Sequence, residues 1–226
     1  KDNNISYIGV ATADSPEGPY TDHGILVKHG SEAIDAFVFN DNGQLYISWK
    51  AYGLDKRPIE LVASKLSNDG LHLEGEPFSL LVDDENIGME GQYHFRKDEY
   101  YYIVYAAHNC CGLDSNYDVY VARSKNFAGP YEKYEKNPIL YGNGEDFISC
   151  GHGTAVILND NRMFYLCHAY QTGNKRFLGR QPILHEMFVG EDKWVHFTSG
   201  NIAKTKQNVP FQNTKQRKTS NFTDDF

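Results

Sequence analysis

No apolar run in this 226-residue sequence approaches the roughly 20 residues of a membrane-spanning helix; the longest resemble Tyr100–Ala107. A membrane is therefore not an expected partner. Positive charge is also scarce: 22 Lys and Arg stand against 30 Asp and Glu, for a formal net charge of −8. Such a balance offers no phosphate-binding surface and excludes nucleic acid as the expected partner. Cysteine is rare. Cys110, Cys111, Cys150 and Cys167 form no CxxC pair, which argues against a zinc ribbon. Their pairing stays open: a Cys111–Cys150 or Cys110–Cys150 bridge is one reading and partly buried free thiols the other, with Cys167 in the core. No segment carries the 3.6-residue apolar period of an amphipathic helix, and no signal segment is visible.

Aromatic residues and glycine are plentiful. Sixteen Tyr, 13 Phe and 20 Gly favour short strands joined by tight turns. The 40% hydrophobic content is enough for a packed core, and the length suits one domain or most of one.

Self-similarity organises the chain. Three segments repeat the order apolar strand, polar turn, aromatic strand. They are Ile34–Phe39 with Gln44–Trp49, Glu90–Phe95 with Tyr100–Tyr105, and Gly153–Leu158 with Met163–His168. Asn42-Gly43 between the first two strands is the strongest hairpin signal. A third strand follows each hairpin: Ile59–Ser64, Asp118–Ser124 and Gln181–Met187. Tyr7–Thr12 stands as an orphan copy, and two strands run on to Gly18-Pro19-Tyr20 and Gly129-Pro130-Tyr131. Four strands in roughly 50–60 residues is the size of a β-propeller blade. The expectation is an all-β, five-bladed β-propeller, of which this chain covers about three blades and the end of a preceding one. Residues 1–203 form that partial propeller, the polar and basic stretch 204–220 reads as a linker, and 221–226 as the start of a C-terminal β-sandwich domain.

Asp35, Glu90 and His152 sit at the start of the first strand in each repeat. First strands of a propeller line its central channel, so their like ends converge on one face. Two carboxylates meeting there supply the acid pair that glycosidic cleavage requires. A lone acid at a strand start is more often a turn residue; the threefold recurrence strengthens the functional reading. Tyr52, His108, Asn109 and Tyr170 follow second strands and are expected on the same face, lining a sugar pocket or serving as loop and packing residues. Trp49 and Trp194 read as packing residues. The sequons at Asn4 and Asn221 are short enough to arise by chance.

Ile34–Phe39, Met89-Glu90-Gly91-Gln92, Gly151-His152-Gly153-Thr154 and Gly179-Arg180-Gln181-Pro182 with Lys193-Trp194 resemble, in order, the motifs of glycoside hydrolase family 43. Val10–Tyr20 also resembles that family's strand-to-turn element, and the likeness runs from about Tyr7 to Phe197. The resemblance implies a secreted or periplasmic glycosidase that removes terminal arabinofuranosyl or xylosyl residues from plant polysaccharide with inversion. The alternative is a propeller that binds carbohydrate without turnover. The resemblance also assigns roles: Glu90 the general acid, Asp35 the residue tuning it, Arg180 a contact near the sugar, and His152 a neighbour of calcium through water. Glu90 must hold its proton near neutral pH, which an ionised Asp35 would promote. Gln92 and Ala36 depart from prolines common in the family. The family's general base has no counterpart here, since Asp14 and Asp22 sit in turn contexts. An upstream propeller segment is expected to supply it, so this chain alone is expected to be inactive, and a C-terminal accessory domain is a further expected partner.

Overall fold

A computed structural model of the chain describes residues 5–52, 58–173 and 178–207. Every regular element among them is a strand. A two-stranded sheet pairs β1 (Ile8–Thr12) with β2 (Thr21–Val27). Three four-stranded antiparallel sheets follow, each a meander in chain order. The first holds β3 (Glu32–Asp41), β4 (Gln44–Tyr52), β5 (Glu60–Leu66) and β6 (Phe78–Val82). The second holds β7 (Met89–Lys97), β8 (Tyr100–Ala107), β9 (Asp118–Ser124) and β10 (Glu132–Lys133). The third holds β11 (Phe147–Ile157), β12 (Met163–Gln171), β13 (Arg180–Val189) and β14 (Val195–Phe197).

The first strands pack side by side, β3 on β7 and β7 on β11. The four-stranded sheets are thus propeller blades with innermost strands around a common axis, as the repeat predicts. The short outer strands β6, β10 and β14, and β2, escape the sequence pattern. At two or three residues, β10 and β14 are too short to show alternation.

The core lies between blades rather than within them. Tyr102, Val104, Val119 and Val121 of the second blade meet Tyr165, Cys167 and Met187 of the third. Leu61 and Ala63 of the first meet Ile103, Tyr105 and Ala122 of the second. Trp49 is fully buried and Trp194 nearly so, both as packing residues. After β14 the chain stays bound to the third blade: the Lys204 amide donates to His185 Nε2 at 3.2 Å and the Thr205 amide to Asp146 at 2.8 Å. Most of the expected linker, and all of 221–226, lie outside the described residues.

The cysteines settle differently from the bridges considered above. Cys110 and Cys111 are bonded to each other in the loop after β8, and Cys150 and Cys167 are free and buried. Cys150 packs in the core between second and third blades, its amide bonded to the Tyr117 carbonyl at the end of that loop at 2.8 Å.

Candidate active site

Each innermost strand carries a bulge at the same place. Pairing runs Ile34 to Lys50 and then Phe37 to Ser48, Glu90 to Ala106 and then Tyr93 to Val104, Gly151 to His168 and then Thr154 to Leu166. Two residues therefore face one, and the first of each two is left-handed: Asp35 (φ 58°), Gly91 (φ 62°) and His152 (φ 51°). Glycine is the usual occupant of such a position; Asp35 and His152 hold it at a steric cost, a pattern that gathers at functional sites. This register corrects the threefold equivalence read from the sequence. Asp35 and His152 are true counterparts, whereas Glu90 precedes the bulge and matches Ile34 and Gly151.

The bulges nevertheless bring the expected trio together. Asp35, Glu90 and His152 each place a donor atom within 4.8 Å of the others. Asp35 Oδ2 accepts the Gly91 amide at 3.0 Å, and the Gln92 side chain donates to the Asp35 carbonyl at 2.6 Å. Gly91 has no side chain for good reason, since a Cβ there would lie 2.7 Å from the His152 ring. A cavity of about 230 Å³ opens beside the trio, lined by Phe37, Thr154 and Leu166 among others.

Both oxygens of Glu90 are engaged by residues the sequence reading did not single out. Lys50 Nζ donates to Oε2 at 2.8 Å, and the Tyr117 hydroxyl to Oε1 at 2.8 Å. Lys50 also pairs with Glu32 at 3.0 Å, its side chain 13% exposed. Tyr117 is fully buried and stacks on His168 with ring centres 5.6 Å apart.

Electrostatics follow from these contacts. Burial raises Glu90, but Lys50 and then Tyr117 outweigh it and hold the carboxyl below its ordinary range. Asp35 moves up, chiefly through burial, with His152 opposing and the charge of Glu90 adding to the rise. Both shifts run against the expected proton preference, on Glu90 with Asp35 ionised, because the cation of Lys50 sits on Glu90 while burial raises Asp35. Burial lowers His168 to about 4, with Arg180 and His152 acting in the same sense.

The remaining expected residues spread out. Arg180 opens β13 opposite Tyr170 and is exposed. Tyr52 ends β4, 51% exposed. His108 bonds Tyr120 at 3.0 Å and lies 3.9 Å from Asp118, a carboxyl that burial pushes up to about 7. The Asn109 amide nitrogen of the side chain donates to carbonyls of its own loop. Tyr170 is buried and its hydroxyl accepts the Gly112 amide at 3.1 Å, anchoring that loop to β12. Asp14 and Asp22 are exposed in or beside the two-stranded sheet and do not join the trio.

Calcium takes six to eight oxygen ligands. Two carboxylates and one imidazole, with Lys50 on one of the Glu90 oxygens, do not fit a calcium ion held directly by the trio.

The family model described as glycosyl hydrolases family 43 matches residues 1–195. The chain is 28% identical to a xylan 1,3-β-xylosidase of Vibrio sp., over 89% of this chain and 40% of that protein. It is 27% identical to the extracellular endo-α-(1→5)-L-arabinanase 2 of Bacillus subtilis strain 168, over 84% and 50%. It is 28% identical to the extracellular exo-α-(1→5)-L-arabinofuranosidase ArbA of Cellvibrio japonicus, over 83% and 61%. The chain thus spans about half the length of these relatives. Among solved structures, a thermostable family-43 glycoside hydrolase superposes with a TM-score of 0.79 at 23% identity, over 94% of this chain and 72% of that one.

Proposed function

The chain belongs to family 43 of the glycosyl hydrolases, and on that premise we propose that it forms the acid-bearing part of a glycosidase acting on arabinose- or xylose-containing polysaccharide. The observation that carries this reading is the clustering of Glu90 with Asp35 and His152, beside a cavity that Asp35 and His152 line. Exo-acting release of a terminal arabinofuranosyl or xylosyl residue is the finer proposal, since the relatives include an endo-arabinanase as well as a xylosidase.

The chemistry needs a proton on the leaving oxygen and water activated on the opposite face of the sugar. Glu90 delivers the proton. Asp35 sits close enough to Glu90 that the charge of Glu90 disfavours ionisation of Asp35. Their oxygens lie within 4.8 Å, shorter than the roughly 6.5–9.5 Å that admits a water between an inverting acid and base. Asp35 therefore tunes and does not serve as base; inversion calls for a carboxylate that this reading places outside the 226 residues. Arg180 and Tyr52, both exposed, are the proposed sugar contacts, and His108, Asn109 and Tyr170 support them by fixing the loop after β8. Secretion accords with relatives named extracellular. A calcium reached by His152 through water belongs to the same proposal; chelation then lowers the melting temperature, and an unchanged melting temperature would remove it.

A carbohydrate-binding propeller without turnover is the second reading, favoured by the Lys50 cation that holds Glu90 ionised. Hydrolysis decides between them. The full-length protein should release sugar from an arabino-oligosaccharide or a xylo-oligosaccharide, whose alkoxide leaving group needs the proton, with the inverted sugar formed first by proton NMR. Glu90→Ala should lose about 100-fold or more, the scale of a general acid. Equal release by the variant would sink Glu90 as the acid, and sugar binding without release would favour the second reading.

A further inference from the structure

Lys50 reaches Glu90 from the neighbouring blade. It lies on β4 opposite Ile34, one residue before the Asp35 bulge, and its ammonium crosses to Glu90 on β7 at 2.8 Å. The same ammonium holds Glu32 at 3.0 Å. Three donors and two anionic partners make this more than a simple pair.

Consider what happens when Glu90 carries a proton. A lysine paired to Glu90 alone would lose its counter-charge in a half-buried place, and a stranded charge there is costly. Glu32 removes that difficulty, because Lys50 stays ion-paired whichever protonation state Glu90 has. The opposite oxygen of Glu90 is fixed by Tyr117, itself buried and stacked on His168. The carboxyl is thus clamped on both sides by groups from two other parts of the propeller.

We infer that Lys50, anchored by Glu32, is the positioning residue that holds the carboxyl of Glu90 in its working orientation across the interface of the first and second blades. This rests on the reading of Glu90 as the acid. Protonation of the leaving oxygen breaks the O–H bond of Glu90, the bond between that oxygen and the anomeric carbon breaks as water adds to the carbon, and the water's proton passes to the base carboxylate that the proposed function places elsewhere. Lys50 takes no part in these bonds. It sets where the proton starts from, and misplacement of a reacting group by about 1 Å can cost on the order of 100-fold in rate.

The test uses the full-length protein and the arabino- or xylo-oligosaccharide that it hydrolyses, whose leaving oxygen must be protonated. Lys50→Ala should lower kcat by about 10- to 100-fold with KM within about twofold, the pattern of an interaction needed in the transition state. Added ethylammonium should restore part of that loss in a concentration-dependent way, and should do nothing for Glu90→Ala. Lys50→Arg should keep most of the activity. If Lys50→Ala does not fold, Glu32→Gln carries the test: kcat should fall by about threefold or more at unchanged KM. Unchanged kcat in the folded variants, or a loss that ethylammonium leaves untouched, overturns the inference while a dead Glu90→Ala keeps the acid assignment. Full activity in Glu90→Ala overturns that assignment, and the inference falls with it.

Discussion

Gly151 governs how close Tyr117 can come to Glu90. A Cβ at that position would collide with Cδ1 of the Tyr117 ring, lie 2.7 Å from its Cε1 and meet Ala106 at 3.0 Å. Gly151→Ala should therefore push the tyrosine off Glu90 and destabilise the chain by about 1–3 kcal/mol, the usual cost of overpacking. Urea unfolding checks the stability, and activity of the full-length variant checks the lost contact; a variant as stable as the parent would show that Tyr117 steps aside freely. The motif around Gly151 and His152 was legible in the sequence, as were Asp35 and Glu90, because each sits in a short contiguous pattern. Lys50 and Tyr117 were not. Their contacts with Glu90 cross 40 and 27 residues of chain, and nothing local marks them.

At the scale of the strand, the hairpin turns fix which residues meet, and the bulges shift that register. Asp41 pairs with Gln44, yet beyond the bulge Ile34 pairs with Lys50 where an unbroken ladder would offer Ala51. A reader of the Asn42-Gly43 turn could place the lysine only to within one residue, which decides the face it occupies. The left-handed bulge residues invite a contrast. His152→Gly relieves a strained conformation worth about 1–2 kcal/mol against a glycine entropy cost of about 0.5–1, so stability should hold or rise slightly. Asp35→Gly gains the same relief but strands the Gly91 amide, so it should be the less stable of the two in thermal melts. Equal losses in both would show that the bulge conformation carries no strain. Deeper in the second blade, His94 is buried, bonded to Ser48 at 2.8 Å and lowered to about 3 by burial. The unfolded chain binds this proton near pH 6.5 and the folded chain only near 3, so the contribution of neutral His94 is intact above 6.5 and declines as pH falls between those values. Each unit in that window costs about 1.4 kcal/mol. Unfolding free energies at pH 7.5 and 5 should differ by less in His94→Phe than in the parent; an equal difference would mean that His94 is protonated in the fold.

The blade repeat made the propeller legible because every blade buries its apolar faces against the next, so the same strand pattern must recur. What the pattern does not reveal is which faces remain open. On the third blade Val156, Leu166, Leu184 and Phe188 are between 37% and 54% exposed, and cross-strand pairing of Leu166 with Leu184 sets two of them side by side. Val38 on β3 is 50% exposed as well. Apolar side chains aligned on the face of a sheet are a binding surface for whatever apolar group is at hand. The 226-residue chain by itself should therefore enhance the fluorescence of the dye ANS and show concentration-dependent self-association by sedimentation. Leu184→Lys with Phe188→Lys should reduce both, since two charges on that face disfavour apolar contact while the interblade cores stay intact. In the full-length protein the dye response per molecule should be smaller if additional blades cover these strands, as a propeller's closure requires. A response that is equal in both, or insensitive to the two lysines, would place the apolar surface elsewhere and leave the third blade's outer face as a solvated end of the molecule.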